Sequence, residues 1–127
     1  MKQKNINVFV PIVLHSCSYD TPFIHTMPII IPTGFIYFLQ EREFAQSDQN
    51  VYKLGFTENL QIRMEGYPKS SILYFVNYCN HPRLVESELL HEFRKMYIPR
   101  PEFGNEYFQG NVHDMMRTIG RYFYCAH

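Results

Sequence analysis

Residues 51–63 read VYKLGFTENLQIR, and this stretch is the most informative one for predicting the fold. It begins with Val and Tyr, two residue types enriched in strands, which predicts a strand that ends at the glycine. Thr57 can cap a short helix over residues 58–65, because its hydroxyl can accept a hydrogen bond from an amide at the helix start. Gly66 would end that helix. The stretch therefore predicts a strand followed at once by a helix that carries Arg63.

The flanking stretches supply two further strands. Residues 35–39 form an aromatic and β-branched run that predicts a buried strand, and the polar loop at 41–50 would join it to the next strand as a hairpin. Residues 71–79 are longer and almost continuously apolar. A strand of this kind is expected in the middle of a sheet with both faces covered.

Two longer helices are predicted in the second half of the chain. Pro82 suits the first turn of one helix, which should stop before Pro99. Residues 106–108 predict a short edge strand, and Asn111 can cap a last helix. This order predicts an α+β fold, with a small, mainly antiparallel central sheet of about three to four strands flanked by helices.

The length of 127 residues fits one compact domain. We expect residues 34–127 to form that domain, including the C-terminal helix, and residues 1–33 to form a strand-like or irregular N-terminal extension. An alternative is that the extension serves as an arm through which two copies form a homodimer.

The charge and the cysteines restrict the partners. Twelve basic and twelve acidic side chains cancel, so no overall positive field draws the chain onto nucleic acid, and DNA would have to be bound locally. Three scattered cysteines without a CxxC motif argue against a disulfide framework or a zinc knuckle. No signal peptide and no transmembrane segment is recognisable, so we expect a cytoplasmic or nuclear protein without a membrane partner.

Three features of the sequence occur together in a telling order. A strand contains Phe35-Ile36-Tyr37, the next contains Lys53-Leu54-Gly55, and Glu86 opens a later helix. This arrangement resembles the GIY-YIG nuclease family, whose members carry GIY on one strand, YIG on the next, then a helical arginine and a later helical glutamate. The resemblance covers residues 34–108, and five residues fall in register with the second motif: Gly55, Thr57, Asn59, Leu60 and Arg63.

The chain looks like the branch of this family found in bacteriophages and large DNA viruses, which would make it virus-encoded. It departs from the family pattern at three places. The first tripeptide keeps its tyrosine, Tyr37, and loses only its glycine. Lys53 stands where the family usually has a tyrosine, and some restriction enzymes of the family also have a lysine there. The nearest candidate for a late family asparagine is Asn105.

Elementary chemistry gives four residues a role in cleaving a phosphodiester. Tyr37 could accept a proton from water, but a free phenol with a pKa of about 10 is a poor base, so the ammonium of Lys53 on the neighbouring strand would have to activate it. Arg63 offers a planar fork that suits phosphate. Glu86 offers a hard oxygen ligand for one Mg²⁺ or Mn²⁺ ion, weakly held without substrate. Glu88 on the same helix is the alternative ligand.

Other residues are candidates for binding nucleic acid. Tyr67 could stack on unpaired bases, and four polar or basic side chains lie near the expected site: Thr57, Asn59, Lys69 and Arg94.

The sequence thus predicts a metal-dependent endonuclease that hydrolyses DNA. The alternative is an inactive nuclease-fold module that binds nucleic acid or a protein. Because the chain has no room for a separate recognition domain, specificity would be low or would come from a protein partner.

Overall fold

The computed structural model describes residues 29–125. The predicted N-terminal extension lies almost wholly outside the described residues, and so does any dimer arm within it. In the described part of the chain, no helix is both long and apolar enough to cross a membrane.

The fold is α+β, as predicted, and it is built on one antiparallel sheet. The sheet has five strands in the order β3-β1-β2-β5-β4, so the expected number of three to four is wrong. The extra strand is only two residues long, too short to leave a pattern in the sequence. The strands are β1 (Thr33–Gln40), β2 (Val51–Thr57), β3 (Ile72–Asn80), β4 (Ile98–Pro99) and β5 (Tyr107–Gln109).

Within residues 29–125 four helices accompany the sheet, and two of them differ from expectation. The predicted loop at 41–50 contains a short helix. The second helix is capped by Asn59 and not by Thr57, because the Asn59 side chain accepts the Ile62 amide at 3.0 Å while Thr57 closes β2. The helices are α1 (Arg42–Gln46), α2 (Leu60–Glu65), α3 (Pro82–Met96) and α4 (Val112–Cys125).

One face of the sheet packs against α3 and α4 to form the core. Ile36 and Phe38 of β1 both point to this side, because side chains alternate between the two faces of a strand. Both are fully buried. They meet Leu89 and Phe93, which share one face of α3. Burying each such side chain contributes about 1.5–3 kcal/mol. The core therefore holds β1 firmly, and Tyr37 points to the opposite face of the sheet.

β3 lies at the edge of the sheet, so the prediction of a central strand covered on both faces is wrong. Among residues 29–125 it pairs with β1 alone, and its Ile72 and Leu73 side chains are exposed. A bulge in this pairing leaves Tyr74 as an extra residue, and Tyr74 and Phe75 both pack against the core. The continuous apolar run thus reflects a bulged edge strand.

β5 pairs with only the first part of β2. Tyr107–Gln109 face Val51–Lys53, and the Glu106 carbonyl accepts the Leu54 amide at 3.0 Å. Residues 55–57 continue beyond the end of β5, so this edge of β2 stays open within the described chain. Side chains from the two faces of the sheet can meet there.

Candidate active site

A cavity of about 460 Å³ lies at the open edge of β2. Residues from β1, β2, α2, α3 and the segment before β5 contribute to its wall, so it gathers side chains that are distant in sequence. These lining residues are Tyr37, Phe56, Thr57, Glu58, Asn59, Arg63, Arg83, Glu86 and Glu106.

Tyr37 forms the floor of this cavity. Its backbone pairs with Gly55 of β2, and its ring lies across that glycine so closely that a Cβ atom there would come within 2.6 Å of the hydroxyl. The residue is 0% exposed. Its hydroxyl shares a hydrogen bond of 2.7 Å with the Tyr67 hydroxyl and accepts one of 3.1 Å from Arg63 Nη1.

Tyr67 links Tyr37 to Lys53. The Lys53 ammonium donates to the Tyr67 hydroxyl at 2.7 Å and lies 3.7 Å from a Glu106 carboxylate oxygen. Lys53 therefore contacts Tyr37 only through Tyr67, whereas the sequence suggested a direct partnership. Tyr67, expected to stack on bases, instead lies between the two with its hydroxyl bonded to both.

The two tyrosine hydroxyls are protonated in the free protein. Burial raises the pKa of Tyr37 far above its usual range, and the hydrogen bond with Tyr67 adds to this effect. Lys53 and Arg63 act in the opposite direction, but they are outweighed. Burial also raises the pKa of Tyr67. Lys53 thus lowers the Tyr37 pKa, in the direction expected of an activating ammonium, but desolvation of the phenolate has the larger effect and the net pKa is raised.

Arg63 reaches the cavity from the last turn of α2. The Asn59 cap sets the start of this short helix, and Gly66 ends it. The Arg63 residue is exposed, yet one guanidinium nitrogen is bonded to the Tyr37 hydroxyl. A guanidinium carries five N–H donors, so others remain for an anionic ligand in the cavity.

Glu86 enters the cavity from the first turns of α3 and is only 8% exposed. Its Oε2 atom is buried without a hydrogen-bond partner. The pKa of Glu86 is raised from 4.5 to about 7, chiefly by burial and next by the neighbouring Glu106 carboxyl. Arg83 and Lys53 lower it less. Glu88, the alternative, bonds to Tyr122 outside the cavity.

The donor set fits one hard divalent cation. Glu86, whose Oε2 atom is buried and unpartnered, lines the same cavity as the Glu106 carboxylate, and carboxylate oxygens are the preferred ligands of Mg²⁺ and Mn²⁺. In residues 29–125 no group of three or more His, Cys, Asp or Glu side chains could hold a metal. Water and a phosphate of the substrate would have to complete the coordination.

The candidates for nucleic-acid binding divide into two groups. Thr57 and Asn59 line the cavity. Lys69 lies beside Tyr67 on a neighbouring cavity, and Arg94 is exposed on α3. At a rise of about 1.5 Å per residue, Arg94 is ~12 Å further along the helix than Glu86. The structure therefore does not bring Lys69 and Arg94 to the cavity.

Four residues of the cavity wall were not among the predicted site residues: Phe56, Glu58, Arg83 and Glu106. Glu106 was expected only as part of an edge strand, and the residue matched to the late asparagine, Asn105, does not line the cavity. Phe56 lines it together with Arg83, whose guanidinium lies 5.0 Å from the centre of the Phe56 ring. Only the register of β5 against β2, which no sequence pattern reveals, identifies Glu106.

The raised pKa of Glu86 gives a prediction about stability in EDTA. This carboxyl holds its proton up to about pH 7 in the folded protein but loses it near pH 4.5 in the unfolded chain. Its contribution to the free energy of unfolding is therefore complete below pH 4 and is lost as pH rises through 7. Between pH 5 and pH 8 the wild type should lose on the order of 2 kcal/mol of this free energy, and we expect Glu86→Gln to abolish that loss. Urea unfolding at both pH values measures it.

Glu92→Gln is the matched control, because Glu92 lies on the same helix but pairs with Lys95 in solvent. It should keep the pH dependence of the wild type. Equal pH dependence in wild type and Glu86→Gln would contradict a neutral Glu86 at pH 5.

Comparison with known proteins returns one family. The model of the T5orf172 domain matches residues 34–123. That domain is phage-associated and related to nucleases of the GIY-YIG and HNH kinds. No curated protein and no solved structure matches the chain. The matched range contains every residue that lines the cavity.

Proposed function

The chain belongs to the T5orf172 domain family, and on that premise we propose that it is a metal-dependent endonuclease of the GIY-YIG type that hydrolyses DNA. One observation carries the proposal. The Tyr37 hydroxyl, the Arg63 guanidinium and the Glu86 carboxyl come from three different elements and line the same cavity. In this proposal the hydroxyl is a weak acid or base, the guanidinium is a hydrogen-bond donor to phosphate, and the carboxyl is a metal ligand.

Arg63 would bind the scissile phosphate. Its planar fork can donate to two phosphate oxygens, and its charge opposes the negative charge that grows on them during attack by water. The bond to Tyr37 fixes the orientation of the guanidinium before the substrate arrives. Preorganised donors of this kind act without a reorganisation cost at the moment of reaction.

Tyr37 would take the proton from the attacking water. Since its phenol is protonated at rest, Tyr37 must first release that proton to solvent in the cavity, and the phenolate then accepts one proton from the attacking water. Two cations are positioned to stabilise this phenolate. Arg63 donates to the Tyr37 oxygen and Lys53 donates to Tyr67, which is bonded to Tyr37. The charge is thus shared over two oxygens held by two N–H donors.

Glu86 would hold one Mg²⁺ or Mn²⁺ ion, which when bound stabilises negative charge on the phosphate as a Lewis acid. Thr57 and Asn59 would contact the DNA backbone next to the scissile phosphate, because both residues line the cavity. Lys69 and Arg94 would contact DNA beyond the cleavage site. Neither residue lines the cavity, so each would contact a part of the duplex that lies outside it.

The test is cleavage by the purified chain. Plasmid, branched and single-stranded DNA are incubated with the protein in Mg²⁺, in Mn²⁺ and in EDTA. We expect that DNA is cut only when the ion is present and that Glu86→Ala does not cut DNA. Cutting at the wild-type rate in EDTA or by Glu86→Ala would contradict the proposal.

A second candidate is a nuclease-fold module that binds nucleic acid without cleaving it. Tyr37 is 0% exposed in the free protein and its hydroxyl is already bonded to Tyr67 and Arg63, which favours this function because a general base must meet the attacking water. DNA binding that weakens steeply with salt, with no cleavage in either ion, would support it.

A further inference from the structure

We propose that Glu106 is a second ligand of the divalent cation, so that Glu86 and Glu106 hold one ion between them. This inference rests on the proposed function for the identity of the ion as Mg²⁺ or Mn²⁺. It adds a residue that neither the second motif nor the late asparagine of the resemblance includes.

The backbone fixes Glu106 at the cavity. Its carbonyl accepts the Leu54 amide at 3.0 Å, which extends the pairing of β5 with β2 by one residue. Its side chain is 39% exposed and lines the cavity together with Glu86. A carboxylate held by a sheet on one side and open to solvent on the other can take an ion without refolding.

Glu86 supplies the independent sign of a missing ligand. It is more than nine-tenths buried, its Oε2 has no hydrogen-bond partner, and its carboxyl faces that of Glu106. Two carboxylates in contact repel each other once both are ionised. A divalent cation between them would replace that repulsion by attraction and would give the orphaned oxygen a partner.

Within residues 29–125, no cationic side chain donates to the unpartnered Glu86 oxygen. Lys53 lies 3.7 Å from Glu106, but it donates its short hydrogen bond to Tyr67. Arg83 lines the cavity, yet its guanidinium lies over the Phe56 ring. Neither donates to the free oxygen of Glu86.

The cavity of about 460 Å³ leaves space for an ion with its water molecules and a phosphate group. With two protein ligands only, binding should be weak, with a Kd on the order of 10⁻⁴–10⁻³ M.

Mn²⁺ binding to the free protein tests the inference independently of cleavage. Titration followed by the electron paramagnetic resonance signal of free Mn²⁺ should give one ion per chain in the wild type. We expect Glu106→Gln to raise the Kd about tenfold or more and Glu86→Gln to abolish measurable binding. Glu102→Gln is the matched control, because Glu102 is exposed and pairs with Arg100 outside the cavity.

A second readout is the rise in Tm of each protein on adding Mn²⁺, which should be smaller in Glu106→Gln than in the wild type and unchanged in Glu102→Gln. Circular dichroism confirms that each variant is folded. Unchanged Mn²⁺ affinity in Glu106→Gln overturns the inference, as does a wild type that binds no Mn²⁺ up to 10 mM, roughly ten times the weakest Kd expected. If Mn²⁺ binds as expected but DNA is not cut, the inference stands and the proposed function fails. If Glu106→Gln binds and cuts like the wild type, the reverse holds.

Discussion

Replacing Arg63 with alanine is expected to lower the rate of DNA cleavage about 10²–10³-fold, with little change in stability. The substitution removes the guanidinium that would donate hydrogen bonds to the phosphate. It also removes the hydrogen bond from Arg63 that holds the Tyr37 hydroxyl. Since Arg63 is exposed, the free energy of unfolding should change by less than ~1 kcal/mol. Single-turnover cleavage with saturating protein and Mg²⁺, together with urea unfolding, measures both quantities.

Two further variants sharpen this test. Arg63→Lys keeps the charge but not the planar fork, so it should recover only part of the rate. Arg117→Ala removes an exposed arginine that pairs with Asp114 on α4, away from the cavity, and should cut at the wild-type rate. Full activity in Arg63→Ala would show that the phosphate is bound elsewhere.

Local sequence patterns identified the elements that carry the site, and long-range pairing decided the rest of the fold. The runs at 35–39 and 51–55 are strands, and the helix that carries Glu86 begins at Pro82 as predicted. The position of β3 could not be predicted in the same way. A strand with apolar residues on both faces can be central, or it can be a bulged edge strand whose large side chains reach the core, and both leave the same sequence pattern.

The site shows the same division. Tyr37, Arg63 and Glu86 could be placed together because they match the tyrosine, the helical arginine and the helical glutamate of the GIY-YIG pattern that the chain resembles. Tyr67 follows the end of α2, in a turn where no periodicity sets the direction of a side chain, and it separates Lys53 from Tyr37. The net pKa of Tyr37 could not be predicted for the same reason. The sequence indicates which charges are near, but not how completely packing excludes water.

Gly55→Ala is expected to lower the cleavage rate by displacing the Tyr37 side chain, which lies across this glycine. A Cβ atom at this position would lie 2.6 Å from the Tyr37 hydroxyl and 2.7 Å from the ring carbon that bears it, closer than atoms pack. The Tyr37 ring cannot yield freely, because it is fully buried and bonded to both Arg63 and Tyr67. Overpacking of this kind costs about 1–3 kcal/mol of stability. A displacement of about 1 Å at the reacting group should lower the cleavage rate about 100-fold.

Gly120→Ala provides the matched control for that prediction. Gly120 lies within α4, and a Cβ atom there meets nothing within 4 Å. Alanine should stabilise the helix by about 0.5–1 kcal/mol and leave cleavage unchanged, since the same chemical change adds no contact. Urea unfolding and single-turnover cleavage of the two alanine variants, measured side by side, separate the effect of a methyl group from the effect of its position. If Gly55→Ala folded and cut DNA like the wild type, the tyrosine ring would not lie across this glycine, and the hydrogen-bonded arrangement of Tyr37, Tyr67 and Arg63 would have to be abandoned as the basis of the activity.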